Sequence, residues 1–130
     1  MNYELFFSCG DPSADLHSAN LVKAIKKISK DIRITSVGGK ELEKVSDNFL
    51  FNMIDLNLHG FWEPAKYYFK LKDLLYNKIY NYLKTSLPDA VIPVDFYGFN
   101  INLSKLSHEL NLKVLYYISP QIWATRPNRI

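Results

Sequence analysis

The chain is expected to fold as an α/β domain of Rossmann-like type, a parallel sheet with helices on both faces. Three observations support this. Short apolar runs alternate with longer segments of helical periodicity. At 130 residues the chain has room for one domain with a real core, so residues 1–130 are read as a single unit. The three most polar and irregular segments, Gly10–Asp15, Asp95–Asn100 and Ser119–Arg126, each directly follow an apolar run, as loops at the carboxyl edge of a parallel sheet do.

The elements follow in order. Leu5–Cys9 reads as a buried strand that stops at Gly10-Asp11-Pro12-Ser13. Ser13–Lys30 reads as a helix, with Leu21, Val22, Ala24, Ile25 and Ile28 on one face and Lys23, Lys26, Lys27 and Lys30 on the other. Arg33–Val37 is a second strand closed by Gly38-Gly39, with a short helix over Lys40–Val45. Phe49–Phe51 and Ile54–Leu56 are short apolar pieces, and Leu58-His59-Gly60-Phe61 is a turn. Pro64 suits the first turn of a long helix to about Leu83, ended by Leu87-Pro88-Asp89. Ala90–Val94 is a strand, Phe99–Leu110 a helix, and Lys113–Ile118 a strand halted by Ser119-Pro120.

Composition narrows the function. A formal charge of +3, with the lysines spread over helix faces, is too mild to imply nucleic acid and is compatible with anionic headgroups or phosphorylated substrates. The single cysteine, Cys9, allows neither an intrachain disulfide nor a cysteine zinc cluster, which suits a reducing cytosol. No apolar stretch reaches the ~18 residues of a membrane span, and Met1-Asn2-Tyr3-Glu4 does not open like a signal peptide, so a soluble or peripheral protein is expected. Nine Tyr and eight Phe are many for this length, and point to a large core or a binding surface.

The three loops carry the candidate chemistry. In the first, Asp11 or Ser13 can cap the helix, and Asp15 falls in its first turn. One helix needs one cap, so the surplus points to ligand binding at Gly10, Ser13 and Asp15. Ala14 and Asp15 stand where the dinucleotide fingerprint needs further glycines, so that class is disfavoured. His17, just inside the helix, is either a solvated residue or a donor to a phosphate or sugar hydroxyl. In the second loop Asp95 follows the strand, where a carboxylate can act as general base, bind sugar hydroxyls or cap the next helix. Asn100 is either a helix-start residue or a hydroxyl reader. In the third, Ser119, Trp123 and Arg126, with Arg129, offer an apolar platform and guanidinium forks for phosphate or carboxylate, or a packed Trp beside surface arginines. On the long helix Tyr68, Leu71, Leu75, Ile79 and Tyr82 form one stripe that Phe69, Tyr76, Tyr80 and Leu83 widen to about half the circumference. With Phe61 and Trp62 ahead of it, that surface is either a thick core face or a contact for acyl chains and a membrane.

Taken together these segments resemble the lipid-A-disaccharide synthase family, bacterial glycosyltransferases of the GT-B type, over nearly the whole chain and in its N-terminal half. The family's G-E-x-S-G-D loop is matched by Gly10-Asp11-Pro12-Ser13-Ala14-Asp15, and its G-G turn by Gly38-Gly39. Its G-(F/I)-x-E segment is matched by Gly60-Phe61-Trp62-Glu63, and its I-D-x-P-x-F-N strand end by Val94–Asn100. The Y-(V/I)-S-P-x-(V/I)-W-A-W-R segment is matched by Tyr117–Arg126. The resemblance implies transfer of a diacylglucosamine from its UDP donor to diacylglucosamine 1-phosphate, with no metal or other cofactor. It also implies work at the cytoplasmic surface of the inner membrane, and an acceptor-side domain that relies on a C-terminal donor domain beyond this chain.

The departures shift roles. Where family members carry an aspartate proposed as base, this chain has Gly98, so the resemblance leaves Asp95, Asp11 or neither as the base. Asp11 replaces Glu, Ala14 replaces Gly and Thr125 replaces Trp. Gly10, Ser13, Asp15, Asn100, Ser119 and Trp123 are then expected around the acceptor, with Arg126 on its phosphate, and Phe61, Trp62, Tyr68, Leu71 and Leu75 against lipid. The chain alone is expected to be inactive. Two other classes share the sheet, a nucleotide-binding or flavodoxin-like domain and a non-catalytic interaction module. A coloured cofactor on purification marks the flavin case.

Overall fold

The structure, a computed structural model, describes residues 3–55, 64–94 and 97–117. Five parallel strands stand in the order β3-β2-β1-β4-β5. They are β1 (Tyr3–Cys9), β2 (Ile32–Gly38), β3 (Asn48–Asn52), β4 (Ala90–Val94) and β5 (Lys113–Val114). The helices are α1 (Pro12–Ile28), α2 (Lys40–Val45), α3 (Pro64–Asp73), α4 (Tyr80–Ser86) and α5 (Tyr97–Glu109), with a π-helical stretch, Leu74–Ile79, joining α3 to α4. This is the expected Rossmann-like arrangement, with every strand pointing its carboxyl end to one edge.

Alternation along each strand divides the core in two. Phe6, Val37 and Val91 face α5 and the long helix, meeting Leu74, Leu75, Ile79, Leu83, Phe99 and Leu103. Phe7, Cys9, Ile34, Ile92 and Val94 face the other way and meet Val22 of α1 and Leu42 of α2. A tie absent from the sequence expectations joins sheet to helix. The half-buried Glu4 carboxylate accepts hydrogen bonds from Thr35 Oγ1 at 2.6 Å and from the Tyr82 hydroxyl.

Local chemistry sets the boundaries. Asp11 caps α1, accepting from the Ala14 amide at 2.9 Å, with Pro12 following in the first turn. The long helix ends where Leu87 adopts a left-handed conformation (φ 48°) and bonds back to Leu83, before Pro88. The last strand is shorter than the expected Lys113–Ile118. Leu115 and Tyr117 still donate to the carbonyls of Val91 and Pro93, but Pro93 has no N–H to return and the ladder is interrupted beside it.

The π-helical stretch changes which side of the long helix is buried. Its i→i+5 turn holds one residue more than an α turn. Leu74 and Leu75, neighbours in sequence, are 4% and 2% exposed. Tyr68, which heads the expected stripe, is 60% exposed, and Leu71 and Tyr82 are half-buried against the core. No helix among the described residues is long and apolar enough to cross a membrane.

Candidate functional site

The loop after β1 and the first turns of α5 meet at the carboxyl edge of the sheet, where open α/β sheets bind ligands. Gly10, Asp11 and Ser13 are half-buried there. One oxygen of Asp11 is engaged as the cap, and the other has no hydrogen-bond partner among the described residues. A carboxylate with a free oxygen at the mouth of an α/β sheet can accept a proton or a sugar hydroxyl.

Asp15 and Asn100 sit differently from the expectation that they contact substrate, and the physical reason is the same for both: their polar atoms are spent inside the fold. Asp15 is 2% exposed. Its Oδ1 accepts from the amides of Gly39 at 2.9 Å and Leu42 at 3.0 Å, and its Oδ2 from Glu41 at 2.9 Å. The residue thus lies in the first turn of α1 but caps α2, whose own N-cap, Gly39, has no side chain to do so. Gly39 is required for room. A Cβ there would lie 2.6 Å from Asp15 Oδ2 and 2.5 Å from Ile54 Cδ1.

Asn100 is fully buried. Its Oδ1 accepts from Ser8 Oγ at 2.9 Å, and its Nδ2 donates to the carbonyls of Ser8 at 3.2 Å and Val94 at 3.3 Å. It clamps α5 onto the ends of β1 and β4. Beside Asp15, the Cys9 thiol is pushed far above its usual range, first by burial and then by the Asp15 and Asp11 carboxylates. It remains a neutral packing group.

Beside this edge a cleft of about 510 Å³ opens between the long helix and α5. Tyr68, Leu71, Lys72, Leu75, Tyr76, Phe99 and Asn102 line it. Three of the residues expected to meet lipid, Tyr68, Leu71 and Leu75, are therefore brought together. Tyr76 joins them from the arc that widens the stripe, and Phe99, Lys72 and Asn102 join without having been singled out as ligand contacts. The aromatic surplus of the long helix was the signal for Tyr76, whereas no local pattern marks Lys72. Outward from the cleft, Phe69 is 65% exposed and stacks edge-on against Tyr68 with ring centroids 5.6 Å apart. Phe61, Trp62, Asp95, Ser119, Trp123 and Arg126 lie outside the described residues. Among the described residues, no three His, Cys, Asp or Glu side chains gather as a metal site.

Fold and site together define an α/β domain of Rossmann-like type with polar loops at its carboxyl edge and an apolar cleft beside them. Solved structures agree on the fold. The C-terminal domain of a Pyrococcus furiosus hydrogenase superposes with a TM-score of 0.66 at 17% identity, covering 90% of this chain and 94% of that one. Sequence comparison goes further, because the model of the lipid-A-disaccharide synthetase family matches residues 5–130, and the chain belongs to that family. A lipid-A-disaccharide synthase of Coxiella burnetii is 31% identical over 129 residues, covering 99% of this chain and 34% of the relative. Lipid-A-disaccharide synthase 1 of Legionella pneumophila is 36% identical over 122 residues, covering 93% of this chain and 32% of the relative. The chain spans about a third of the length of the curated relatives it matches.

Proposed function

We propose that this chain is the acceptor-binding portion of a glycosyltransferase of lipid A biosynthesis. The reaction is transfer of a diacylglucosamine from a UDP donor to the 6-hydroxyl of diacylglucosamine 1-phosphate. The observation that carries the proposal is the apolar cleft opening beside the polar loops of the sheet edge in a chain of this family. An acylated sugar phosphate needs both surfaces at once.

In this mechanism the Asp11 or Asp95 carboxylate takes the proton of the acceptor hydroxyl, which attacks the anomeric carbon of the donor as UDP leaves. Gly10 and Ser13 border the acceptor sugar, Ser119 and Trp123 enclose it, and Arg126 pairs with its phosphate. Asp15 and Asn100 hold the loops from behind. Tyr68, Phe69 and the cleft draw the acyl chains from the cytoplasmic face of the inner membrane, as exposed aromatics beside lysines do at an interface. The donor nucleotide is held by a partner domain.

Two measurements test this. Mixed with the part of a relative that lies beyond the matched segment, the chain forms disaccharide from UDP-diacylglucosamine and the monosaccharide phosphate, and the chain alone does not. A well-folded pair that makes no product refutes the proposal. For the membrane contact, Tyr68→Asp combined with Phe69→Asp changes only exposed positions and reduces co-sedimentation with anionic liposomes by about tenfold or more. Undiminished co-sedimentation rejects the contact.

A further inference from the structure

The cleft wall is mostly apolar, and among its described lining residues Lys72 is the charged one; the shape of the long helix explains why it stands there. With Ile79 and Leu83 in the core, an unbroken α-helix stepping about 100° per residue would turn Leu75, Lys72 and Tyr68 inward together and Leu74 to the far side. The structure shows another arrangement. Leu74 is buried with Leu75, Tyr68 is mostly exposed, and Lys72 is exposed on the cleft wall with Tyr76 and Asn102. The extra residue in the π-helical stretch produces the change, because it rotates α3 relative to α4. It keeps an ammonium group out of the core and delivers it to the cleft. Among the described residues Lys72 has no acidic partner.

We propose that the cleft is a subsite for an anionic acyl amphiphile, in which the Lys72 ammonium pairs with the anionic group while the chain lies along Leu71, Leu75 and Phe99. This rests on the acceptor reading above and adds to it a named cation and a reason for the irregular helix. The charge is complementary to a phosphorylated or carboxylated lipid, and the volume falls within the ~300–1,000 Å³ of small-molecule sites. A neutral hydrocarbon would fill the same wall without using the lysine.

The test uses cis-parinaric acid and its methyl ester, read by fluorescence on binding. The intact chain binds the acid about tenfold more tightly than the ester, the scale of one charge-assisted contact. Lys72→Met removes that preference and leaves ester binding unchanged, while Lys72→Arg retains it. Lys84→Met makes the same change of net charge at the far end of the helix, where the lysine lies over Tyr80, and leaves binding unchanged. Acid binding that survives Lys72→Met, or falls equally with Lys84→Met, overturns the assignment of Lys72 alone. Failure of the intact chain to bind either probe overturns the lipid reading of the cleft itself.

Discussion

Asp15→Ala lowers the unfolding free energy by on the order of 3–4 kcal/mol in chemical denaturation, a large part of what a domain of this size has to lose. The figure follows from the geometry. One buried carboxylate receives three backbone N–H groups, those of Gly39, Glu41 and Leu42, and Ala leaves all three without an acceptor. Gly39 and Leu42 are themselves buried, so water cannot substitute without opening the turn. Asp15→Asn keeps one acceptor oxygen but turns an NH₂ toward donors, so it lies between wild type and Ala. Were Asp15 only a surface residue of a ligand loop, Asp15→Ala would cost less than about 0.5 kcal/mol. A loss that small would refute the capping role.

The same residue shows where the sequence was legible and where it was not. The Gly10–Asp15 turn, the Gly38-Gly39 turn and the short helix over Lys40–Val45 were all visible as punctuation. Their alternation with apolar runs was enough for the parallel sheet and for the edge at which the carboxyl ends of its strands gather. The surplus of capping residues after β1 was visible too, but its destination was not. Asp15 serves a helix 26 residues further on, and no local pattern reports a cap supplied from another element. Asn100 was hidden in the same way, since its partners Ser8 and Val94 come together only when β1 and β4 pair.

The long helix was legible in extent and misread in register. A stripe built on 3.6-residue periodicity picked out Leu71, Leu75 and Ile79 correctly, then placed Tyr68 with them. The π-helical turn breaks that periodicity at Leu74 and hands the outer positions of α3 to aromatics and lysines. No residue type in Leu74–Ile79 announces such a turn. The adjacent pair Leu74-Leu75 was the one hint, because a single α-helical stripe seldom buries two neighbours equally deeply.

Asn100→Asp gives the second large effect, and its dependence on pH identifies the cause. The substitution preserves shape but replaces the Nδ2 donor with an oxygen facing the carbonyls of Ser8 and Val94 in a fully buried site. Ionised, that group is desolvated and faces oxygen dipoles, so the variant loses on the order of 3–5 kcal/mol at pH 7.5. Protonated, it donates to one of the carbonyls again. Its pKa in the folded variant is therefore raised above the unfolded value of about 3.9. The sign follows: between the two values the folded state binds more protons, so stability relative to wild type falls as pH rises, by up to about 1.4 kcal/mol per unit. The deficit is smallest near pH 4 and levels off above the folded pKa. Asn100→Ala lacks the titrating group, and its deficit stays constant over the same range. Denaturation of the three proteins side by side from pH 4 to 8 separates the cases, and a pH-independent Asp deficit would refute the clamp geometry. Because α5 leaves the clamp carrying Phe99 and Asn102, the acid-rescued variant also recovers its cleft, and binding of the parinaric methyl ester, which does not titrate, returns with the folded fraction.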